Sequence, residues 1–412
     1  LAEVFRDIVM LDYWSFYGVG TGKLLMGRGC RCELALELKK LGLVRVMVIA
    51  DRNLESAGVV SLVTDVLSGG GIEFETFLEG EAEPSIGVAN RASEATLAMQ
   101  PDAIIALGGG SNIDVAKYVA AVVAHGGQPS DYFGIGKVPG PVCPLIAIPT
   151  TSGTGSEVSH AAVLTDTDNA IKISCLSQYL RPILAVVDPA LTDSCPQQVT
   201  ADSGIDALTH AIEAKTNTPF DRLQIPPGQE RSYQGSHPLG DLLANRAIEL
   251  VGQFLPRAVH EKDDHEARDQ MALASTLAGM AFSNCGVALV HALEYPLGGR
   301  YHCSHGAGNG LLLPYVMKFN LPACPSRMAQ IGCLLDPAAK QLDQESAGLA
   351  AIEAVRKLRA EIGIPDRLRQ FGAKAEELDA LAEKSFAISR LMLYNARPPQ
   401  LEDLKAILHE AL

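Results

Sequence analysis

The chain has 412 residues, of which 47% are hydrophobic and 20% charged, enough for two domains of roughly 150–200 residues that each bury a core. Its formal net charge of −14 argues against nucleic acid and anionic membranes as partners, because phosphate surfaces repel it. No run of roughly 18 uninterrupted apolar residues occurs, which argues against a membrane span, and the nine cysteines lack disulfide-framework spacing, which points to the reducing cytoplasm.

The opening LAEVFRDIVM lacks the basic flank and apolar run of a secretory signal. Residues 30–41 read as an amphipathic helix, with the lone CxC of Cys30 and Cys32 structural rather than metal-binding. Residues 44–50 (VRVMVIA) read as a buried strand ending at Asp51, and residues 90–99 as a helix. Residues 103–107 (AIIAL), 145–148 (LIAI) and 185–188 (AVVD) read as further strands, with a helix over 113–123. Two apolar runs around TDTDNA predict a β-hairpin over 163–174. This β–α alternation predicts a mainly parallel, Rossmann-like sheet wrapped by helices, over residues 1–192. Beyond Thr192 the texture turns helical, with periodic segments at 239–260, 266–285, 348–362 and 374–394, so residues 193–412 are expected to form an all-α domain. The Pro/Gly/Ser-rich stretch 218–240 reads as a long loop.

Gly108-Gly109-Gly110-Ser111 follows a predicted strand and opens a helix. Glycine lets a backbone approach a pyrophosphate, and a helix N-terminus offers oriented N–H groups and positive potential. Asp114 falls in that first turn, where a carboxylate suits the dipole. A plain tight turn has the same look, but a second polar loop, Pro149-Thr150-Thr151-Ser152-Gly153-Thr154-Gly155-Ser156-Glu157, follows another strand. Two such loops at strand carboxyl ends favour a dinucleotide site. Asp51 can accept from ribose hydroxyls and would repel a 2′-phosphate, favouring NAD over NADP; a solvated Asp is the plainer alternative. The usual GxGxxG fingerprint is missing at that first turn.

Asp206 and His210 stand four residues apart in a helical segment and so share a face. That pair alone is weak evidence of a site. Residues 287–305 (VALVHALEYPLGGRYHCSH) add three histidines in an apolar, glycine-rich stretch, and one divalent metal could serve several buried imidazoles. His125, His260, His265 and His409 read as solvated, and His237 as a candidate to line a substrate pocket.

GGGSNIDVAK, PTTSGTGSEV, DPALT, GIDALTHAIEA and HALEYPLG…HCSHGAGNGLLLP together resemble the iron-dependent (group III) alcohol dehydrogenases, over about Asp51 to Asn320. The resemblance implies a dinucleotide-binding domain followed by a helical domain. It places metal ligands at Asp206, His210, His291 and His305, and cofactor contacts at Asp51, Gly109, Gly110, Ser111, Asp114, Thr150, Thr151 and Thr154. It sets Lys172 near the nicotinamide ribose. The cofactors it implies are NAD and Fe²⁺, with Zn²⁺ the alternative metal, and the assembly a homodimer or larger homo-oligomer. Many members carry a histidine four residues after the third ligand; this chain has Tyr295, a poorer base at neutral pH, as the candidate catalytic group there. YQGSHP (residues 233–238), RAVHEKDDHEAR, ALASTLAGMAFSNCGV and HALEYP are similar to the hydroxyacid–oxoacid transhydrogenase branch. The short segment 299–304 departs from that branch's mitochondrial members, so its substrate is not carried over. The expected reaction is reversible hydride transfer between a primary alcohol, an ω-hydroxy acid among the candidates, and its aldehyde. The rivals are a transhydrogenase that retains its nicotinamide, a zinc-dependent glycerol-type dehydrogenase, and a non-catalytic nucleotide- or metal-binding protein on the same fold.

Overall fold

Short runs of β-branched and apolar residues form strands, which glycine, proline or a capping carboxylate ends. The computed structural model describes residues 22–167, 171–225 and 231–412. Within residues 22–196 lie strands β1 (Lys23–Met26), β2 (Arg45–Ile49), β3 (Glu73–Phe77), β4 (Ala103–Gly108), β5 (Gly134–Ile135), β6 (Leu145–Pro149), β7 (Ala161–Asp166), β8 (Ile171–Leu176) and β9 (Leu184–Val187). Between them run helices α1 (Leu34–Lys40), α2 (Arg52–Ser56), α3 (Val59–Gly69), α4 (Ile86–Met99) and α5 (Gly110–His125). Six strands form one sheet in the order β1-β9-β6-β4-β2-β3, parallel at every pairing.

Alternate residues of each strand go to opposite faces. Met47, Ile49, Ile104 and Ala106 join a core with Val88 of α4 and Ala116 of α5. Val46, Val48, Ile105 and Leu107 join the other, with Leu38 of α1 and Val63 of α3. Because both faces are covered, the inner strands β2, β4, β6 and β9 read as continuous apolar runs, whereas β3 (EFETF), at the sheet edge, alternates and stays largely exposed. The chain moves outward from β2 to β3 and then returns past β2 to β4, so the strand order reverses between β2 and β4. Asp51 and the Gly108–Ser111 turn leave the carboxyl ends of those two strands, at the point where open α/β sheets bind ligands. β7 and β8 pair antiparallel, Val163 facing Ser174, as the hairpin expected over 163–174. Part of its turn, residues 168–170, falls outside the described residues.

From Gln197 onward the described elements are helical: α6 (Gln197–Thr216), α7 (Pro238–His260), α8 (His265–Cys285), α9 (Leu289–Tyr301), α10 (His305–Asn320), α11 (Pro325–Leu335), α12 (Gln344–Glu361), α13 (Leu378–Phe386), α14 (Ser389–Tyr394) and α15 (Leu401–Ala411), with short 3₁₀ turns. The segment 374–394, expected as one helix, breaks between α13 and α14, where Ile388 leaves helical geometry at φ −80°, ψ 60°. The expected loop 218–240 contains a 3₁₀ turn at Phe220–Arg222 and ends where His237 Nδ1 accepts the Gly240 N–H at 3.2 Å, capping α7; residues 226–230 lie outside the described residues.

The chain divides into two compact units. Gln197–Glu261 and Met280–Leu412 belong to the helical one, whereas Lys262–Gly279 join the sheet unit although they come from the second half. The reason is local. Gly155 and Gly279 meet backbone to backbone, a Cβ on Gly155 falling 2.4 Å from Gly279 Cα. Thr276 donates its hydroxyl to Glu157 at 3.0 Å, and Arg268 donates to the Thr192 carbonyl at 2.8 Å. No single helix among the described residues is long and apolar enough to cross a membrane.

Candidate active site

Asp206 and His210 project one turn apart from α6 and are 2% and 5% exposed. α10 lies close to α6 and α9 because three of its residues are glycine. A Cβ at Gly306 would fall 1.9 Å from the Asp202 carbonyl oxygen, one at Gly310 2.7 Å from Ile205 Cγ1, and one at Gly308 2.9 Å from Glu294 Cγ of α9. That approach brings His305 Nε2 to 4.0 Å from Asp206 Oδ1, and α9 brings His291 Nε2 to 3.9 Å from the same oxygen. Asp206, His210 and His291 each offer a ligand atom within 4.8 Å of the others. His305 stands just outside that triple, at its Asp206 edge. His302 ends α9 in the left-handed conformation, is exposed and does not join.

Three polar side chains hold these ligands. His291 Nδ1 donates to Glu213 Oε2 at 2.6 Å, and Glu213 also accepts the Ala288 and Val290 N–H groups at 3.0 and 2.7 Å. His305 Nδ1 donates to Glu294 Oε2 at 2.5 Å. A carboxylate only accepts, so each imidazole carries its proton on Nδ1 and turns the Nε2 lone pair toward Asp206. Asn309 Nδ2 donates to Asp206 Oδ1 at 2.8 Å and lies 3.3 and 3.2 Å from His291 Nε2 and His305 Nε2. None of Glu213, Glu294 or Asn309 stood out in the sequence. The available signal was spacing, since each follows a candidate ligand of its own helix by three or four residues.

The His210 ring stacks on Phe282 and on His291, with centroids 4.3 and 4.7 Å apart. Its Nδ1 is buried without a hydrogen-bond partner. Burial pushes the His210 pKa down to about 4, so the imidazole is neutral and its lone pair available. Burial also opposes ionisation of Asp206, but His210, His305 and His291 outweigh it and hold the carboxyl below its usual range. One carboxylate and three imidazoles, one of them with an unsatisfied buried nitrogen, fit a divalent transition metal. Tyr295, one turn after His291 and 9% exposed, sets its ring centroid 6.5 Å from His291 and 6.1 Å from His305.

In the sheet unit the loops after β4 and β6 touch. A Cβ at Gly110 would meet Thr154 Cγ2 at 2.7 Å, and one at Gly109 would meet Thr151 Oγ1 at 3.3 Å. Thr150 N–H donates to the Gly108 carbonyl at 3.1 Å. Asp51 Oδ1 caps α2 through the Asn53 and Leu54 N–H groups, while its Oδ2 accepts from Asn112 at 2.8 Å. Several predicted contact residues brace the loops. Ser111 Oγ donates to the Ala82 carbonyl at 2.6 Å. Asp114 accepts from Ser156 Oγ at 2.6 Å and from Val163 N–H at 2.9 Å. Lys117, fully buried, donates to Ser156 Oγ at 2.7 Å, Ser159 Oγ at 3.1 Å and the Ala161 carbonyl at 2.7 Å, and burial lowers its pKa to about 8. Lys172 is not among the loop residues brought together; it stands on β8 and pairs with Glu83 at 3.2 Å.

Two family models cover most of the chain: "Iron-containing alcohol dehydrogenase" over residues 21–189 and "Fe-containing alcohol dehydrogenase family, C-terminal" over residues 232–412. An NAD-dependent methanol dehydrogenase of Bacillus methanolicus is 33% identical over 94% of this chain and 97% of its own length. The mitochondrial hydroxyacid-oxoacid transhydrogenase of Mus musculus is 32% identical over 96% of this chain and 90% of its own length. Among solved structures, a 1,3-propanediol oxidoreductase superposes with a TM-score of 0.89 at 31% identity, covering 98% of this chain and all of its own. With both its sheet and its helical parts matched, the chain belongs to the iron-containing alcohol dehydrogenase family, oxidoreductases acting on CH–OH groups.

Proposed function

We propose that Asp206, His210, His291 and His305 hold the catalytic metal of this alcohol dehydrogenase, and that the loops after β4 and β6 hold NAD. The observation that carries the reading is the buried meeting of the Asp206 carboxylate with His210 and His291, His305 at its edge. Fe²⁺, or Zn²⁺ as the alternative, would supply Lewis-acid polarisation of the substrate oxygen when held by these four residues. Gly109 and Gly110 let the loop of residues 151–154 come close at the N-terminus of α5, where oriented N–H groups suit a pyrophosphate. Thr150, Thr151 and Thr154 offer hydroxyls beside it. Asp51, held at the carboxyl end of β2 by Asn53, Leu54 and Asn112, would accept from ribose hydroxyls and repel a 2′-phosphate, which favours NAD over NADP. Ser111 and Asp114 hold the loops in shape. Lys172 pairs with Glu83 at 3.2 Å, and an ammonium group carries more than one donor, so the pairing is compatible with serving the nicotinamide ribose. The net reaction moves a hydride between the carbinol carbon of a primary alcohol and C4 of NAD⁺, with Tyr295 as the candidate to pass the hydroxyl proton.

The functional division proposed is a cofactor domain over 1–192 and a metal domain over 193–412, with Lys262–Gly279 serving the first. A cytoplasmic homodimer or larger homo-oligomer is part of the same reading; the nine free cysteines suit a reducing compartment. The test is a screen of Fe²⁺-loaded protein and NAD against short primary alcohols, diols and ω-hydroxy acids with their semialdehydes. Chelation should abolish turnover and Fe²⁺ restore it, whereas full activity in verified metal-free protein would end the reading. The likeness to the mouse transhydrogenase over 96% of the chain supports a second reading, in which the nicotinamide stays bound. Turnover of an alcohol plus an oxo acid without added NAD separates the two.

A further inference from the structure

We infer that Glu213, Glu294 and Asn309 are positioning residues that form a closed ring, each helix of the metal centre holding a ligand of the next. The inference rests on the metal reading above and concerns how the cavity is kept in shape. On α6, Glu213 holds His291 of α9. On α9, Glu294 holds His305 of α10. On α10, Asn309 holds Asp206 of α6, which closes the circuit.

The spacing makes the ring possible. His210 and Glu213, His291 and Glu294, and His305 and Asn309 are three or four residues apart, so each helix turns a ligand and a holder to the same side. The holders are 4%, 0% and 0% exposed. A buried carboxylate is costly unless hydrogen bonds satisfy it. Glu213 meets that condition with two backbone N–H groups as well as the imidazole, so it fixes the first turn of α9 and the His291 ring together. Glu294 and Asn309 stand against residues of neighbouring helices that the glycines of α10 allow to come near. The outcome is a set of ligands aimed inward by protein contacts alone. His210 lies outside the circuit and is held by stacking on Phe282 and His291.

The test uses full-length protein stripped of metal and titrated with Co²⁺, read by the cobalt d–d absorption, which reports affinity and ligand geometry without turnover. Glu294→Gln and Asn309→Ala should each weaken Co²⁺ binding roughly 10–100-fold and alter the band. Far-UV circular dichroism should stay that of the wild type. Glu377→Gln, which removes a surface pairing with Arg300, should leave binding unchanged. Glu213→Gln carries an added risk of misfolding because it also grips backbone, so the first two variants decide. The double variant Glu294→Gln/Asn309→Ala should lose less than the product of the two single losses, because one break already opens the ring. Folded single variants with wild-type affinity and spectrum would overturn the proposal, as would multiplicative losses in the double variant. A wild-type chain that takes no Co²⁺ refutes the metal reading itself, and that arm is measured first.

Discussion

A single methyl group at Gly306 should dismantle the proposed metal centre. The added Cβ would lie 1.9 Å from the Asp202 carbonyl oxygen, 2.6 Å from its carbon and 3.2 Å from Asp206 Cβ. The first two are backbone atoms of α6, so no side-chain rotation relieves the clash. Restoring a contact of about 3.5 Å requires α10 to withdraw from α6 by on the order of 1.5 Å. Metal sites tolerate errors of about 0.2 Å in ligand distance, and His305, the first residue of α10, would move with the helix. Overpacking should cost about 1–3 kcal/mol, a fall of roughly 3–10 °C in melting temperature. Metal content after dialysis, by elemental analysis, should drop from one equivalent to a small fraction. Gly69→Ala is the matched control, since nothing lies within 4 Å of its Cβ; it should retain both metal and melting temperature. Gly306→Ala protein with a full equivalent of metal and an unchanged melt would refute the packing argument.

Gly110→Ala places a Cβ 2.7 Å from Thr154 Cγ2 and should weaken NADH binding by about tenfold or more, roughly 1.4 kcal/mol, in a fluorescence titration, with metal content unchanged; undiminished affinity counts against the loop pair as the cofactor site. Tyr295→Phe should lower kcat on the order of 10²-fold while retaining metal, and an unaffected kcat removes the hydroxyl from the proton path. Lys117, with its pKa lowered from 10.5 to about 8, penalises folding below pH 8, where both states carry the charge. The penalty is relieved as pH rises from 8 toward 10.5, because there the unfolded chain holds the proton that the folded one has lost. The urea stability of the wild type relative to Lys117→Met should therefore climb over that window, by up to about 1.4 kcal/mol per pH unit; a flat difference shows that Lys117 titrates normally.

The sheet unit was legible because a fully covered parallel strand leaves a signature that few other elements share. VRVMVIA, AIIAL and LIAI are too short and too apolar for surface helices, and each ends in a turn. The Gly108–Ser111 turn was equally plain, but what Asp114 and Ser111 do was not. Their side chains close on Ser156, Val163 and Ala82, contacts between distant segments that local pattern cannot reveal. In the helical unit the histidines stood out as scarce polar groups in apolar surroundings. Glu213 and Glu294 did not, because glutamate on a helix is ordinary until burial is known. The transfer of Lys262–Gly279 to the sheet unit was hidden for a similar reason. It depends on Gly279 meeting Gly155, and an isolated glycine in a helical pattern shows only that something comes close. The break between α13 and α14 turns on one backbone conformation, at Ile388, inside a stretch whose periodicity runs on.

Anomalous diffraction at the iron edge from crystals of the Fe²⁺-loaded chain tests the central assignment most directly. The expected result is one strong peak about 2.0–2.3 Å from an oxygen of Asp206 and a ring nitrogen each of His210, His291 and His305. A peak elsewhere, or none in protein that turns over alcohol, would contradict it.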